Sequence, residues 1–172
     1  MNQKKINQKQ FKKERTRVYD SERRTSYEER QKKGGVMCRE CGSTFMNGRW
    51  SWNPAPLQAK LSLCPACQRI RDRYPAGILT VGGTFTWKHL PDIRNLIEKI
   101  EESEQSEHPM ERVMGIQRHQ KKYNSELSLE ILTTGSHLAR RIGEALRDAY
   151  EGELLIDYQP ETFVRVTWTR DA

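Results

Sequence analysis

Cys38-Arg39-Glu40-Cys41-Gly42 and Cys64-Pro65-Ala66-Cys67-Gln68 decide how this chain is read, because they set four cysteines into two C-x2-C pairs. Two residues between thiolates let the backbone close into a tight knuckle that presents both sulfurs to one ion, and Gly42 supplies the turn behind the first pair. Two such knuckles complete a four-thiolate tetrahedron. That shell has no open position for water, so it predicts one structural Zn2+ on Cys38, Cys41, Cys64 and Cys67 and not a catalytic metal. An iron centre, a redox dithiol and four unrelated thiols are the competing readings of these cysteines.

The run Gln68-Arg69-Ile70-Arg71-Asp72-Arg73-Tyr74 behind Cys67 predicts a short helix opened by the second knuckle. This is the pattern of treble-clef and zinc-ribbon-like modules, in which the helix N-terminus helps hold the thiolate charge. Asn47-Gly48 and Asn53-Pro54 mark turns in the loop between the knuckles. The module is expected to span residues 36–75.

Outward from the cysteines, the charge is uneven. Residues 1–35 hold twelve Lys or Arg against five Asp or Glu, whereas the rest of the 172-residue chain holds eighteen of each. Residues 38–74 carry six basic and two acidic side chains, which leaves the C-terminal part net negative. Positive charge gathered at one end of a chain is the footprint of a polyanion partner. The first 35 residues offer only Ile6, Phe11, Val18, Tyr19 and Tyr27 as sizeable apolar groups, too few to offset the entropy of ordering. They read as a disordered basic arm. A solubilising tail without a partner is the alternative.

Beyond Pro75 longer periodic elements begin. Ile78 to Phe85 predicts a strand with Gly82-Gly83 marking a bulge or a close backbone approach, and Leu90, Ile93, Leu96, Ile97 and Ile100 recur at helical spacing. Glu111 to Arg118 reads as a strand with Met114 and Ile116 on one face. Leu127, Leu129 and Ile131 alternate with polar residues, the period of a half-buried strand. Ser136 is placed to cap a second helix whose Leu138, Ile142, Ala145, Leu146 and Ala149 share one stripe, and Gly152 ends it. Leu154, Ile156 and Tyr158, then Val164, Val166 and Trp168, predict a terminal hairpin around Pro160. In order these elements predict an α+β domain over residues 76–172: a split βαβ (ferredoxin-like) antiparallel sheet with two helices on one face and an extra terminal strand. Gly143 inside the second helix costs about 1 kcal/mol relative to alanine, which calls for close packing there.

Arg49, Trp50 and Trp52 fall between the knuckles, and Arg69, Arg71 and Arg73 follow the second. Guanidinium groups bind phosphates and indoles stack on unpaired bases, so these residues predict an RNA-binding surface. Shielding the zinc site, or docking it on the sheet, is the other use for the two tryptophans. Arg140 and Arg141 either extend the RNA face or form a solvated helix surface. His89, His108, His119 and His137 are scattered with no supporting nucleophile and no phosphate loop, so the chain reads as no enzyme. A metal-independent nuclease using His119 or His137 as base is the minor alternative. No apolar run is long enough to cross a bilayer, which with the reduced-cysteine reading predicts a cytoplasmic protein.

The stretch from Cys64 to Ile78, CPACQRIRDRYPAGI, and the stretch from Thr134 to Leu154, TGSHLARRIGEALRDAYEGEL, resemble a group of uncharacterised bacterial zinc-ribbon proteins over about residues 36–170. The second stretch, together with Val164-Arg165-Val166-Thr167-Trp168, is more distantly similar to the ribosomal large-subunit export adaptor family of archaea and eukaryotes. Those adaptors carry further zinc pairs and domains that this chain lacks. The resemblance implies a zinc-dependent protein that engages ribosomal RNA or the large ribosomal subunit. The expectation is therefore a zinc-stabilised, non-catalytic RNA-binding or ribosome-associated accessory factor; a protein-interaction adaptor without RNA contact is the other class.

Overall fold

Gly34 and Gly35, both with positive φ, lead into the first strand among the described residues. The computed structural model describes residues 34–120, 127–159 and 163–171, so the arm expected at 1–35 lies outside it but for these two glycines. The described residues form two sheets and four helices.

The first sheet is small. Strands β1 (Val36–Cys38), β2 (Thr44–Met46), β3 (Arg49–Ser51) and β4 (Lys60–Ser62) lie in the order β3-β2-β1-β4, with β4 parallel to β1. Asn47 and Gly48 join β2 to β3 with φ of 52° and 78°. Two left-handed residues are what a tight primed hairpin turn requires, and Asn-Gly supplies them at least strain. Helix α1 (Pro65–Asp72) follows at once, with proline in its first turn where a missing N–H costs nothing. It stops at Arg73, whose left-handed φ of 51° lets the N–H of Tyr74 reach Arg69 O at 2.9 Å.

The second sheet carries the main core. Strand β5 (Gly77–Gly82) is shorter than expected, because the chain leaves it at Gly82-Gly83, where of the two readings the close backbone approach holds and not the bulge. Gly83 has φ of 89° and lies so close to the backbone of Arg170 that a Cβ would overlap it. From there the chain forms helix α2 (Thr84–Lys88), which moves Phe85 out of the strand. Its ring stacks on His89 at 4.1 Å and tilts against Tyr150 at 5.5 Å. Helix α3 (Leu90–Glu107) buries Ile93 and Ile97.

Strand β6 (Val113–Gln120) pairs with β7 (Leu127–Thr133), and a register shift between Val113 and Gly115 takes Met114 out of step with Ile116. Helix α4 (Ser136–Tyr150) is not capped by Ser136, which is its first helical residue; the cap position is Gly135, which has no side chain. The acceptor comes from afar. Glu111 Oε2 takes the N–H of Leu138 at 2.9 Å, and its carboxylate lies so close to Gly135 that a Cβ there would push it aside. Gly143 answers the packing question: a Cβ would sit 2.6 Å from Val166 Cγ1 and 3.0 Å from Leu154 Cδ1.

Strands β8 (Glu153–Gln159) and β9 (Phe163–Thr169) form the expected hairpin, with Pro160 outside the described residues. The sheet order is β6-β7-β5-β9-β8. An antiparallel sheet was expected, yet β9 runs parallel to β5. The reason is the added strand. It is inserted before the last one, as β8 at the sheet edge, so the chain has reversed once more by the time β9 reaches the centre. Helices α3 and α4 cover one face, closing thirteen fully buried apolar side chains, among them Leu79, Ile131, Ile142 and Trp168. No helix among the described residues is long and apolar enough to cross a membrane.

Candidate metal centre

Cys38 ends β1 and Cys41 sits on the turn that follows. The N–H of Gly42 bonds to Cys38 O at 2.9 Å, and the N–H of Cys38 to Ser43 O at 2.7 Å. Gly42, with φ of 78°, makes that tight reversal possible. Cys64 is the residue before helix α1, and its sulfur accepts the N–H of Cys67 at 3.3 Å, so a ligand candidate doubles as the helix cap. The N–H of Cys64 in turn points at Cys38 Sγ at 3.3 Å. Backbone donors aimed at sulfur stabilise thiolate over thiol.

These local turns bring all four sulfurs within 4.8 Å of one another. Cys41 and Cys64 lie 3.7 Å apart, and all four cysteines are free. A disulfide needs about 2.05 Å between sulfurs. Four sulfurs placed tetrahedrally at about 2.3 Å from a common ion lie about 3.8 Å from one another. The geometry is therefore that of one structural metal site, and every candidate ligand named from the spacing is in it.

The protonation chemistry favours an ion as well. Burial alone would raise the Cys41 thiol, but its hydrogen bond with Ser43 and the nearby Arg112 guanidinium outweigh it and hold Cys41 down at about 6. Burial pushes Cys67 up to about 11, with repulsion from Cys41 and Cys38 adding to it, and burial pushes Cys64 up in the same way. One thiolate forms easily while its neighbours resist a second charge beside it. A divalent cation removes that conflict by replacing the shared protons.

A residue the sequence did not single out reaches this site from the other sheet. Arg112, just ahead of β6, is only 8% exposed and directs Nη1 to Cys67 Sγ at 3.4 Å. Its Nε donates to Pro109 O at 2.8 Å, and its guanidinium lies over the ring of Trp52 at 5.7 Å. Nothing in Glu111-Arg112-Val113 marks it, and Cys67 is far away along the chain.

The expected RNA-contacting residues divide. Arg49, Arg71 and Arg73 are exposed, with Arg71 3.6 Å from Asp72. Arg69 is 6% exposed, its guanidinium over the Tyr74 ring and its Nη1 toward Tyr74 O. Trp50 packs on Phe45 at 5.5 Å and against the cysteine cluster. Trp52 donates its indole N–H to Gln105 O at 2.7 Å, so it docks the module on α3 while 40% exposed. Arg140 reaches Glu144 and Tyr158, and Arg141 pairs with Glu104 at 3.1 Å. The histidines do not converge on a nucleophile: His119 pairs with Glu130 and His137 with Glu104, each at 3.3 Å. His108 and His137 do share a surface cleft with Trp50, Met110 and Glu111, a nearness the sequence did not reveal.

Comparison of the chain with protein-family models, with curated proteins and with solved structures finds no match.

Proposed function

We propose that the protein is a zinc-stabilised, non-catalytic RNA-binding factor that associates with the ribosome in the cytoplasm, its module of treble-clef type and its larger domain an enlarged split βαβ. The observation that carries this reading is the separation of charge. Residues 1–35 are net +7 and residues 38–74 net +4, while residues 75–172 hold twelve basic and sixteen acidic side chains. A chain polarised in this way meets a polyanion with one end, and the zinc keeps that end rigid enough to be recognised. Arg49, Arg71 and Arg73, which are exposed in the module as Arg39 and Lys60 also are, would contact phosphate.

The test is co-sedimentation of the full chain with ribosomes across a salt series. Binding is expected to fall steeply with salt. A triple change of Arg49, Arg71 and Arg73 to Glu is expected to weaken association while zinc content stays at one per chain; co-sedimentation unchanged by either treatment rejects the reading. A protein-interaction adaptor is the second reading, favoured by the exposed Leu155 and Tyr158 on edge strand β8. Association that ignores ionic strength would select it.

A further inference from the structure

A zinc ion held by four thiolates leaves about two negative charges on a site whose sulfurs are largely buried. Charge of that kind needs a counter-charge, and the cation that reaches these sulfurs belongs to the other domain. Arg112 is held on every side that the α+β domain offers. Its backbone N–H donates to Thr134 Oγ1 at 2.9 Å, its carbonyl accepts the N–H of Thr134 at 2.9 Å, and its Nε donates to Pro109 O. The guanidinium is thus fixed before it meets the module.

On the module side it touches Cys67 Sγ through Nη1 and covers the ring of Trp52. Its remaining nitrogen, Nη2, is buried with no hydrogen-bond partner among the described residues. A buried guanidinium donor is costly to leave unmatched, and beside a cluster of sulfurs the acceptor that suits it is a thiolate. Trp52, pinned beneath it, carries the contact onward to Gln105 O on α3. Met110 packs on the cysteine cluster from the same loop.

We infer that Arg112 is the counter-charge of the metal shell and the latch that makes docking of the module on the α+β domain depend on metal occupancy. It is a positioning residue, acting through the cysteines, and the inference rests on the metal reading above. With the metal bound, four thiolates balance the buried guanidinium and the Trp52 contact is held. With the metal removed, nothing holds the four sulfurs in one shell, Cys67 Sγ is no longer fixed against Nη1, and the seam loosens. By linkage, whatever the metal contributes to docking, docking contributes to metal affinity.

The experiment compares the full chain, zinc-loaded, with Arg112→Gln, Arg112→Lys and Met110→Ala. Zinc affinity is read by chelator competition, and the seam by the indole N–H resonance of Trp52, assigned with Trp52→Phe. Loss of an outer-shell partner lowers metal affinity by about 10- to 100-fold, and that is the drop expected for Arg112→Gln. Met110→Ala, which trims apolar packing on the cysteine cluster without touching charge, is expected to cost less zinc affinity than Arg112→Gln. In zinc-loaded Arg112→Gln the Trp52 resonance is expected where chelation puts it in the wild type. Arg112→Lys, which keeps the charge, is expected to recover most of the affinity.

Wild-type affinity in Arg112→Gln, or a Trp52 resonance that chelation does not move, overturns the inference. A lysine variant as weak as the glutamine variant assigns Arg112 to packing and overturns the counter-charge role even if Arg112→Gln folds poorly. A wild-type chain that takes up no zinc fails earlier, at the metal reading itself.

Discussion

In the α+β domain thirteen apolar side chains from three central strands and two helices close one core, whereas the module buries Val36 with Phe45 in one pair and Leu63 with Ala66 among three of the cysteines in another. The domain has layers to place against each other. The module has roughly forty residues, a size at which burial seldom offsets chain entropy and a metal commonly takes the place of a core. Removing a ligand from one and a side chain from the other should therefore have different consequences.

The widest separation is expected from chelation. A structural zinc in such modules contributes about 10–16 kcal/mol at neutral pH. Stripping it should abolish hydrogen-exchange protection in β1 to β4 while β5 and β7 keep theirs. Equal loss in both sheets would show that the domain, too, depends on the metal. The reverse lesion is Leu79→Ala at the centre of the larger core, where Leu79 is fully buried. A loss of about 2–5 kcal/mol in unfolding free energy is expected, with zinc content unchanged.

A smaller effect separates packing from propensity. Gly143→Ala gains about 1 kcal/mol of helix preference but forces a methyl group into Val166 and Leu154, and overpacking costs about 1–3 kcal/mol, so the melting temperature should fall slightly. A rise would mean that the sheet yields to the added methyl. The smallest effect lies at the seam. Burial raises the Glu111 carboxyl above its usual 4.5 despite the N–H of Leu138 on it. Stability tied to its protonated form is thus full below 4.5 and is lost as pH rises through the higher folded value. Glu111→Gln has no charge to bury, so the melting difference between variant and wild type, both zinc-loaded, should shift in favour of the variant as pH rises. A difference that is flat with pH would place the carboxylate in water.

The two regions also differ in how far they could be read in advance. Cys38, Cys41, Cys64 and Cys67 were legible because each pair closes within a single turn and the turn residues lie beside them. The strands β7 and β9 and the helices α3 and α4 were legible because burial on one face writes its own period into the sequence. Strand β5 was read too long, since Gly82-Gly83 spells a bulge inside a strand and a close backbone approach at its exit in the same letters. The parallel pairing of β9 with β5 was hidden because hairpin and crossover leave the same alternation in both strands.

Residue spacing settled the four-sulfur cluster, the order of the longer elements after Pro75 and the polarity of charge, since all three depend on neighbours in the chain. Only the folded chain decided that Arg69 turns inward, that Trp52 latches onto Gln105, that Glu111 caps a helix begun at Ser136, and that Arg112 faces the sulfurs. Each of these is a polar group meeting a partner that packing selects, and no local pattern encodes that choice.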